Sequence, residues 1–423
     1  MTRDHRVRLG RAAAVSAGLW IAVGPVGLLA AAPAQSAAAA AAWSSCTPQA
    51  PYAHCVRYSF TGSDEAFTVP NGVTSIRALL WGAGGGGAYI GTPQYTAGAG
   101  GYTVGTIKLP PGAQLTVSVG QGGNASGVGY DQNVYGGGGL GGNGSNTGGS
   151  GGGMSALWWG SYGTTPLLIA GAGGGASPGS QTSNSSGQYP GAVFGGSGGG
   201  YSGGSDNTSY SGQGGSQTNG GDPGAPPVPC DGSGSGGTAP TNGLQYYGGN
   251  GAGSDPEPPG VGGTAEGGGG GGGGYYGGGG GRCNVYVTDQ PAGDGGGGSS
   301  YIDPSGITSA ATYGGENGNY YGLDKGAPPA AQAMDSPYYL AGIGWGGGKS
   351  GAANGGNGQV VIEWGKKSHP KPTPKPSPSP VPPPPSHHPL PITGFPFVQV
   401  GIAALALIGL GAMATWTAQR RQL

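Results

Sequence analysis

Between Gly267 and Gly281 the chain reads eight glycines, then Tyr275-Tyr276, then five more glycines. No other stretch restricts the fold so tightly. Glycine loses the most conformational entropy on folding and brings no apolar side chain to offset the loss. Such a run is ordered only if its backbone N–H and C=O groups find partners. One solution is a bundle of extended three-residue-per-turn helices, packed closely because no Cβ intervenes. Neighbours would then be joined by N–H···O=C bonds and weaker Cα–H···O contacts, with tyrosines and tryptophans covering the rim. The other solution is irregular loops. The residues alone leave both open.

The run is the densest part of a glycine-rich body extending from about Gly82 to Gly358. With 106 Gly and 37 Pro in 423 residues, the composition lies where disorder is the default expectation. A strict Gly-X-Y period is missing, which excludes a collagen triple helix. The 22 Tyr and 8 Trp, many set among the glycines, argue against a wholly disordered body, because disordered segments are poor in aromatics.

Strand signals cluster at both ends of the body. Tyr58-Ser59-Phe60 and Ala66 to Val69 lead into a turn at Pro70-Asn71-Gly72, and Ser75 to Trp81 follows with Ile76, Ala78 and Leu80 on one face. Gly101 to Leu109 and Gln114 to Val119 are joined by a turn at Pro110-Pro111-Gly112; Leu115, Val117 and Val119 alternate with Thr116 and Ser118 as in a half-buried strand. Pro166 to Ala170, Ser300-Tyr301-Ile302 and Gln359 to Trp364 complete the set. Amphipathic helical periodicity does not appear in the body, so the expectation is all-β structure interrupted by glycine.

Charge narrows the partners. Ten of the 16 basic residues lie outside Trp43 to Trp364, which holds six basic residues against 16 Asp and Glu. A body so acidic, without a basic patch, repels a phosphate backbone, so no nucleic acid is expected as a partner. Cys46 and Cys55 occupy a polar lead-in, residues 35–56, while Cys230 and Cys283 lie deep in the glycine. Four cysteines in an exported chain point to two disulfides; three pairings exist, and Cys46 with Cys55 and Cys230 with Cys283 is favoured. The spacings fit no zinc pattern, and neither a metal nor a cofactor is expected.

Glycine-rich sequence generates motif matches by chance. Gly82 to Gly87 satisfies the dinucleotide pattern GxGxxG, but no helix follows it. Gly148 to Gly152 and Gly195 to Gly199 fit GxSxG, yet His54 is the single histidine of the body, leaving a serine triad almost without a base. The calcium repeat GGxGxDxUx is missing, although Asp206, Asp231 and Asp294 lie beside glycines. The pairs Asp64-Glu65 and Asp255/Glu257 read as charged loop tips. The expectation is a body without catalytic residues.

The two ends address the chain. Residues 1–34 combine four arginines, an apolar run and an Ala32-Pro33-Ala34 site, which reads as a secretory signal peptide with the mature start between Gln35 and Trp43. Residues 365–389 carry Pro at every second position from Pro370 to Pro380, an extended polyproline stalk on the order of 75 Å long. Leu390-Pro391-Ile392-Thr393-Gly394 comes next, then an apolar stretch over 397–416 and a basic tail, 417–423, with Arg420-Arg421. About 20 apolar residues suffice to cross a bilayer, and the arginines stay on its cytoplasmic side.

That order resembles the LPxTG cell-wall sorting signal of Gram-positive surface proteins. The resemblance implies that a sortase transpeptidase attacks the Thr393 carbonyl and joins the chain covalently to peptidoglycan, the membrane being engaged only transiently through 397–416. The chain would be the substrate and not the enzyme, secreted and anchored on the extracellular face of the wall. Within the body, Thr68-Val69-Pro70-Asn71-Gly72-Val73 followed by Trp81-Gly82-Ala83-Gly84 is similar to the opening of the glycine-rich domain in receptor ectodomains of the anaplastic lymphoma kinase type. GGYTVGTIKLPPGAQLTVSVGQGG from Gly100, LLIAGAGGGA from Leu167, GGGGSSYI from Gly295 and NGQVVIEW from Asn357 continue the likeness in order. It covers residues 57–364, about 300 residues, and between Ser177 and Pro259 it is compositional only. It implies a tumour-necrosis-factor-like β-sandwich with packed polyglycine helices inserted between strands; similar polyglycine bundles serve phage tail adhesins. No kinase domain is present, so a signalling role does not carry over.

Together these features describe a surface-display module for adhesion or binding of an unidentified ligand, through aromatic faces such as Trp158-Trp159 and Tyr275-Tyr276. A structural, partly disordered envelope component without a specific ligand is the other reading, and near-ultraviolet signals that melt cooperatively separate the two.

Overall fold

The structure, a computed structural model, describes residues 43–89, 94–125, 134–144, 146–178, 194–206, 208–225, 237–253, 266–284, 292–318, 329–348 and 353–366. Among them there is no helix. The strands are β1 (Trp43–Ser45), β2 (Tyr52–Ser59), β3 (Glu65–Thr68), β4 (Ser75–Trp81), β5 (Ala88–Tyr89), β6 (Gln94–Tyr95), β7 (Tyr102–Lys108), β8 (Gln114–Ser118), β9 (Ser155–Trp159), β10 (Thr165–Ala170), β11 (Tyr301–Ile302), β12 (Ile307–Tyr313) and β13 (Gln359–Lys366). A six-stranded sheet runs β1-β2-β13-β4-β7-β12 and a five-stranded sheet runs β11-β10-β9-β8-β3, with every pairing antiparallel. β5 and β6 form a separate two-stranded hairpin.

One core joins the two large sheets. Alternation along each strand sends Val56, Ile76, Ala78, Leu80, Ile107, Val360 and Ile362 of the first sheet against Phe67, Leu115, Val117, Leu157, Leu168 and Ala170 of the second. Burying one such aliphatic side chain contributes about 1.5–3 kcal/mol. The expected turns close as read: Val73 N–H donates to the Pro70 carbonyl at 3.1 Å and Ala113 N–H to the Pro110 carbonyl at 3.2 Å. Gly72 and Gly112 take φ of 77° and 80°, which a side chain would resist.

The boundaries differ from the sequence reading in two places. Of the lead-in, residues 43–56 belong to the six-stranded sheet, because β1 and most of β2 lie within them and β2 pairs with β13 over seven positions from Gln359↔Ser59 to Lys366↔Tyr52. At the other end, β13 continues past Trp364 to Lys366. Five strands were not expected from the sequence: β1, the short hairpin strands β5 and β6, β9 and β12. β1 is short and exposed, β9 is buried almost throughout and so shows no alternation, and β12 is broken by a bulge between Thr308 and Ala311 with Ser309 at φ 49°.

Registers decide where the glycine goes. Trp81, where β4 ends, pairs with Tyr102, where β7 begins, and with Gln359, where β13 begins; Tyr102 pairs in turn with Tyr313, where β12 ends. In the second sheet Ala170 pairs with Ser155 and Ser118 with Ala156. Each of these strand ends opens into glycine, so each sheet feeds its glycine segments from one end.

Those segments bond to one another by backbone. Within 267–275, residues 267, 270 and 273 donate to the carbonyls of 146, 149 and 152; residues 268 and 271 donate to 252 and 249; residues 269, 272 and 275 donate to 293, 296 and 299. Carbonyls 268 and 271 accept from 142 and 139, carbonyls 269 and 272 from 281 and 278, and carbonyls 270 and 273 from 175 and 172. Every third residue thus addresses the same neighbour, and one run serves six surrounding segments. Parts of the stretch 177–259 belong to this network: Gly221 N–H donates to Gly277, Gly243 N–H to Gly221, and Gly249 N–H to Gly278.

Only glycine permits the spacing. A Cβ placed on Gly267, Gly270 or Gly273 falls on the carbonyl oxygen of Gly142, Gly139 or Gly136, and one on Gly268 or Gly271 on that of Gly281 or Gly278. These obstacles are backbone and cannot rotate away. Gly271→Ala should therefore destabilise the body by more than about 2 kcal/mol, the range of severe overpacking. Gly314→Ala, whose Cβ meets nothing nearer than 3.8 Å and needs no positive φ, should stay within about 0.5 kcal/mol of wild type. Thermal unfolding followed by near-ultraviolet circular dichroism measures both.

Candidate functional site

The outer face of each large sheet is covered, and the covers bring together most of the aromatic residues noted in the sequence. On the five-stranded sheet, Leu157 points into the shared core, so its neighbour Trp158 points the other way. There it packs with Met154, Ala156 and Ile169. The Trp158 ring lies 5.0 Å from that of Tyr162 and 5.1 Å, edge on, from that of Tyr246. Tyr246 leads to Tyr275 at 6.3 Å, and Tyr275 stacks on Tyr301 at 4.1 Å and meets Tyr276 at 5.2 Å. Such tilted and stacked pairs add about 0.5–1.5 kcal/mol each beyond area burial.

A polar chain anchors the inner end of this ladder. The Trp158 indole N–H donates to Ser118 Oγ at 3.1 Å, and the Ser118 hydroxyl donates to Asp64 Oδ1, which also accepts from the Tyr135 hydroxyl. Burial and the Asp64 hydrogen bond push the Tyr135 hydroxyl above its ordinary range. Burial, then Tyr247 beside it, does the same to Tyr162. Asp64, read from sequence as a charged loop tip, is exposed as expected but holds two hydroxyls in place.

The expectation that Trp158 and Trp159 form a binding face needs correction. Trp158 is fully buried because β9 is covered on both sides, whereas Trp159 is 43% exposed. Tyr275 and Tyr276 are half-buried at the rim of the glycine run. The aromatic and apolar side chains that reach solvent near the ladder are instead Tyr247, 52% exposed, and Leu244, 64% exposed, on a tight turn closed by Leu244 and Tyr247 backbone bonds. The sequence offered one sign of this, since Tyr246-Tyr247 is a doublet within glycine like Tyr275-Tyr276.

On the six-stranded sheet, residues 329–348 form the cover. Ala331 and Tyr338 pack with Leu79, Trp81, Tyr102, Val361 and Cys55, and the Trp81 indole donates to the Gln332 carbonyl at 3.0 Å. Glu363 lies fully buried beneath them. It accepts from Arg77 Nη1 at 3.2 Å, from Gln49 N–H at 3.0 Å and from the Tyr338 hydroxyl. A buried carboxyl needs partners for its oxygens, and these three donors come from different segments. The Cys46–Cys55 disulfide, expected from the sequence, ties the lead-in to β2 at the edge of the same cluster. Cys283 is disulfide-bonded as well, and Cys230, its expected partner, lies outside the described residues.

The chance motifs have structural uses. The GxGxxG amides that a phosphate would need are taken: Gly82, Ala83, Gly84, Gly85, Gly86 and Gly87 donate to 101, 153, 356, 98, 150 and 353. Ser150 of the first GxSxG is buried, its Oγ accepting from Asn124 N–H at 2.7 Å. His54 stacks on Trp364 at 5.5 Å. Among the described residues, no group of three or more His, Cys, Asp and Glu gathers as a metal site would require, and no helix is long and apolar enough to cross a membrane. The signal peptide, the stalk, Leu390, Pro391, Ile392, Thr393, Gly394, the span 397–416 and the pair Asp255/Glu257 lie outside the described residues.

No known protein-family model and no curated protein matches the chain.

The buried tyrosines set an alkaline limit. Burial pushes the hydroxyls of Tyr58, Tyr102 and Tyr339 up to about 12, against 10.0 for the ordinary group. The folded state thus holds these protons more tightly than the unfolded chain. Their stabilisation is complete below pH 10.0 and is lost as pH rises towards about 12. Denaturant midpoints should be flat from neutral pH to about pH 9 and fall above pH 10, with tyrosinate absorbance rising only as the fold is lost. Tyrosinate absorbance that rises fully before unfolding would contradict the burial.

Proposed function

We propose that this chain is an exported protein which a sortase transpeptidase joins to peptidoglycan at Thr393–Gly394, displaying its body outside a Gram-positive cell for adhesion or ligand binding. The order of LPITG, apolar span and arginine-bearing tail behind a proline stalk carries this reading. Each part acts physically, in that the span halts the chain in the bilayer, the tail fixes its orientation, and the pentapeptide waits just outside the membrane. Disulfide use in the body fits an oxidising, extracytoplasmic location.

We read the glycine segments as polyglycine II helices and the two sheets as a tumour-necrosis-factor-like β-sandwich. The three-residue hydrogen-bond period, the six neighbours of one run and the shared core between sheets support this architecture. A rigid body of this kind suits presentation of surface side chains better than a hydrated filler would. Trp159, Leu244 and Tyr247 are the candidates for contact with a ligand, being large, apolar and open to solvent. The filler reading, a structural envelope component without a ligand, stands only if binding is absent.

Two measurements test the proposal. Mass spectrometry of wall-digested fragments should find chains ending at Thr393 and carrying a peptidoglycan adduct; chains that run through to Leu423 in the wall fraction would reject anchoring. Panning the purified chain against host matrix, glycans and the cell's own wall should find saturable binding. Trp159→Ala and Tyr247→Ala should weaken that binding while leaving stability within about 0.5 kcal/mol, as exposed substitutions do. No saturable binding to any of the three would reject the adhesive role.

A further inference from the structure

One carboxyl group of the body is cut off from water with part of its bonding capacity unused. Asp294 follows Gly293 in the glycine network and is fully buried. Its N–H donates to Ser211 Oγ at 2.9 Å, and its Oδ1 accepts from Ser177 N–H. Its Oδ2 is equally buried and has no hydrogen-bond partner. An oxygen in that position loses its hydration without replacement, which proteins rarely tolerate.

A like charge acting on Asp294 makes matters worse. Burial first, and the Asp206 carboxylate second, push the Asp294 carboxyl well above the usual carboxylate range. Asp206 is half-buried. Its Oδ1 accepts from Thr208 N–H at 2.9 Å and from the Thr208 hydroxyl at 3.0 Å, and its Oδ2 accepts from the Ser211 hydroxyl at 2.9 Å and from the Thr208 hydroxyl at 3.2 Å. Ser211 Oγ therefore links the Asp294 backbone amide to the Asp206 carboxylate, and it also accepts from the Thr208 hydroxyl at 3.2 Å. The Arg282 guanidinium is engaged next to them, lying 3.8 Å over the Tyr210 ring and donating to the Ala225 carbonyl.

We propose that Asp294 and Asp206 hold a calcium ion, with the unpartnered Asp294 Oδ2 as its buried ligand. The donor set is all oxygen, and calcium takes six to eight oxygen ligands, carboxylates, carbonyls and waters among them, in flexible geometry. Backbone carbonyls of the glycine segments and water would complete the shell. Zinc is a poor fit, because no histidine or cysteine joins the pair and tetrahedral sites need four such ligands. Bound there, the ion neutralises two like charges and ties residues 206–211 to 292–295 and Ser177, segments distant in sequence. The glycine network would then tighten when the chain meets extracellular calcium.

Terbium luminescence on the intact chain tests this, because Tyr210 adjoins Ser211 and can sensitise the lanthanide. Tyrosine excitation should give terbium emission that calcium displaces with a Kd on the order of 10⁻⁴–10⁻³ M, the range of extracellular modules. Calcium should also raise Tm relative to EDTA. Asp206→Asn, at a half-exposed position that leaves the packing alone, should weaken displacement by about tenfold as one charged ligand is lost. Asp294→Asn should abolish it. Absent emission, or emission unchanged in both variants, would overturn the proposal. So would Asp294→Asn matching wild type in Tm with and without calcium, since Asn mimics a neutral acid and that result would mean Asp294 simply keeps its proton.

Discussion

A glycine amide of one segment donating to a glycine carbonyl of the next is the contact on which the body depends. Each such bond contributes only about 0.5–1.5 kcal/mol net. Their number and regularity matter more than their individual strength, and a buried amide left without one would cost more than the bond contributes. Around Gly267–Gly273 donors and acceptors are consumed in three directions each, so the interior leaves few backbone groups to fend for themselves. This is a core built from main chain. It contributes little apolar burial, and it needs a conventional hydrophobic core elsewhere to fix its ends.

The two sheets supply that anchorage. Because Trp81, Tyr102, Tyr313 and Gln359 line up across one sheet, and Ala170, Ser155 and Ala156 across the other, the strands deliver their glycine extensions already in register. A slip of one residue in β4 would turn Ile76 and Leu80 out of the core and misplace Gly82 against Gly101. The remaining large side chains act elsewhere. Trp158, Tyr246 and Tyr275 fill the boundary between glycine and sheet, where flat rings with one polar group can lie against backbone while a hydroxyl or indole N–H finds a partner. On the opposite side Glu363, Arg77, Gln49 and Tyr338 lock the 329–348 cover to β13 and β4.

Much of this was legible in the residues. β4, β8, β10 and β13 announce themselves by alternation or by short β-branched runs, and the Pro-Asn-Gly and Pro-Pro-Gly turns place their ends. The long-range arrangement was not. A glycine has no side chain to report its neighbour, so nothing in the run at Gly267 says that residue 270 addresses 149 while residue 271 addresses 249. β9 and β12 were hidden for local reasons: Trp158 and Leu157 are both buried, which erases the period of two, and the bulge at Ser309 breaks it. The same cause misled the reading of Trp158, whose neighbour Trp159 is the one in solvent. Cys46 and Cys55 paired as their nine-residue separation suggested. Asp294, set beside glycines without a calcium repeat, gave no sign that its carboxyl would be sealed inside.

Native-state amide hydrogen exchange of Gly267–Gly273 bears most directly on whether main chain alone forms this interior. If the inter-segment bonds hold the body together, these amides should exchange only through global unfolding, as slowly as those of β4 and β13. Exchange of the glycine amides at free-peptide rates, while β4 and β13 stay protected, would show that the sheets fold around loose glycine loops.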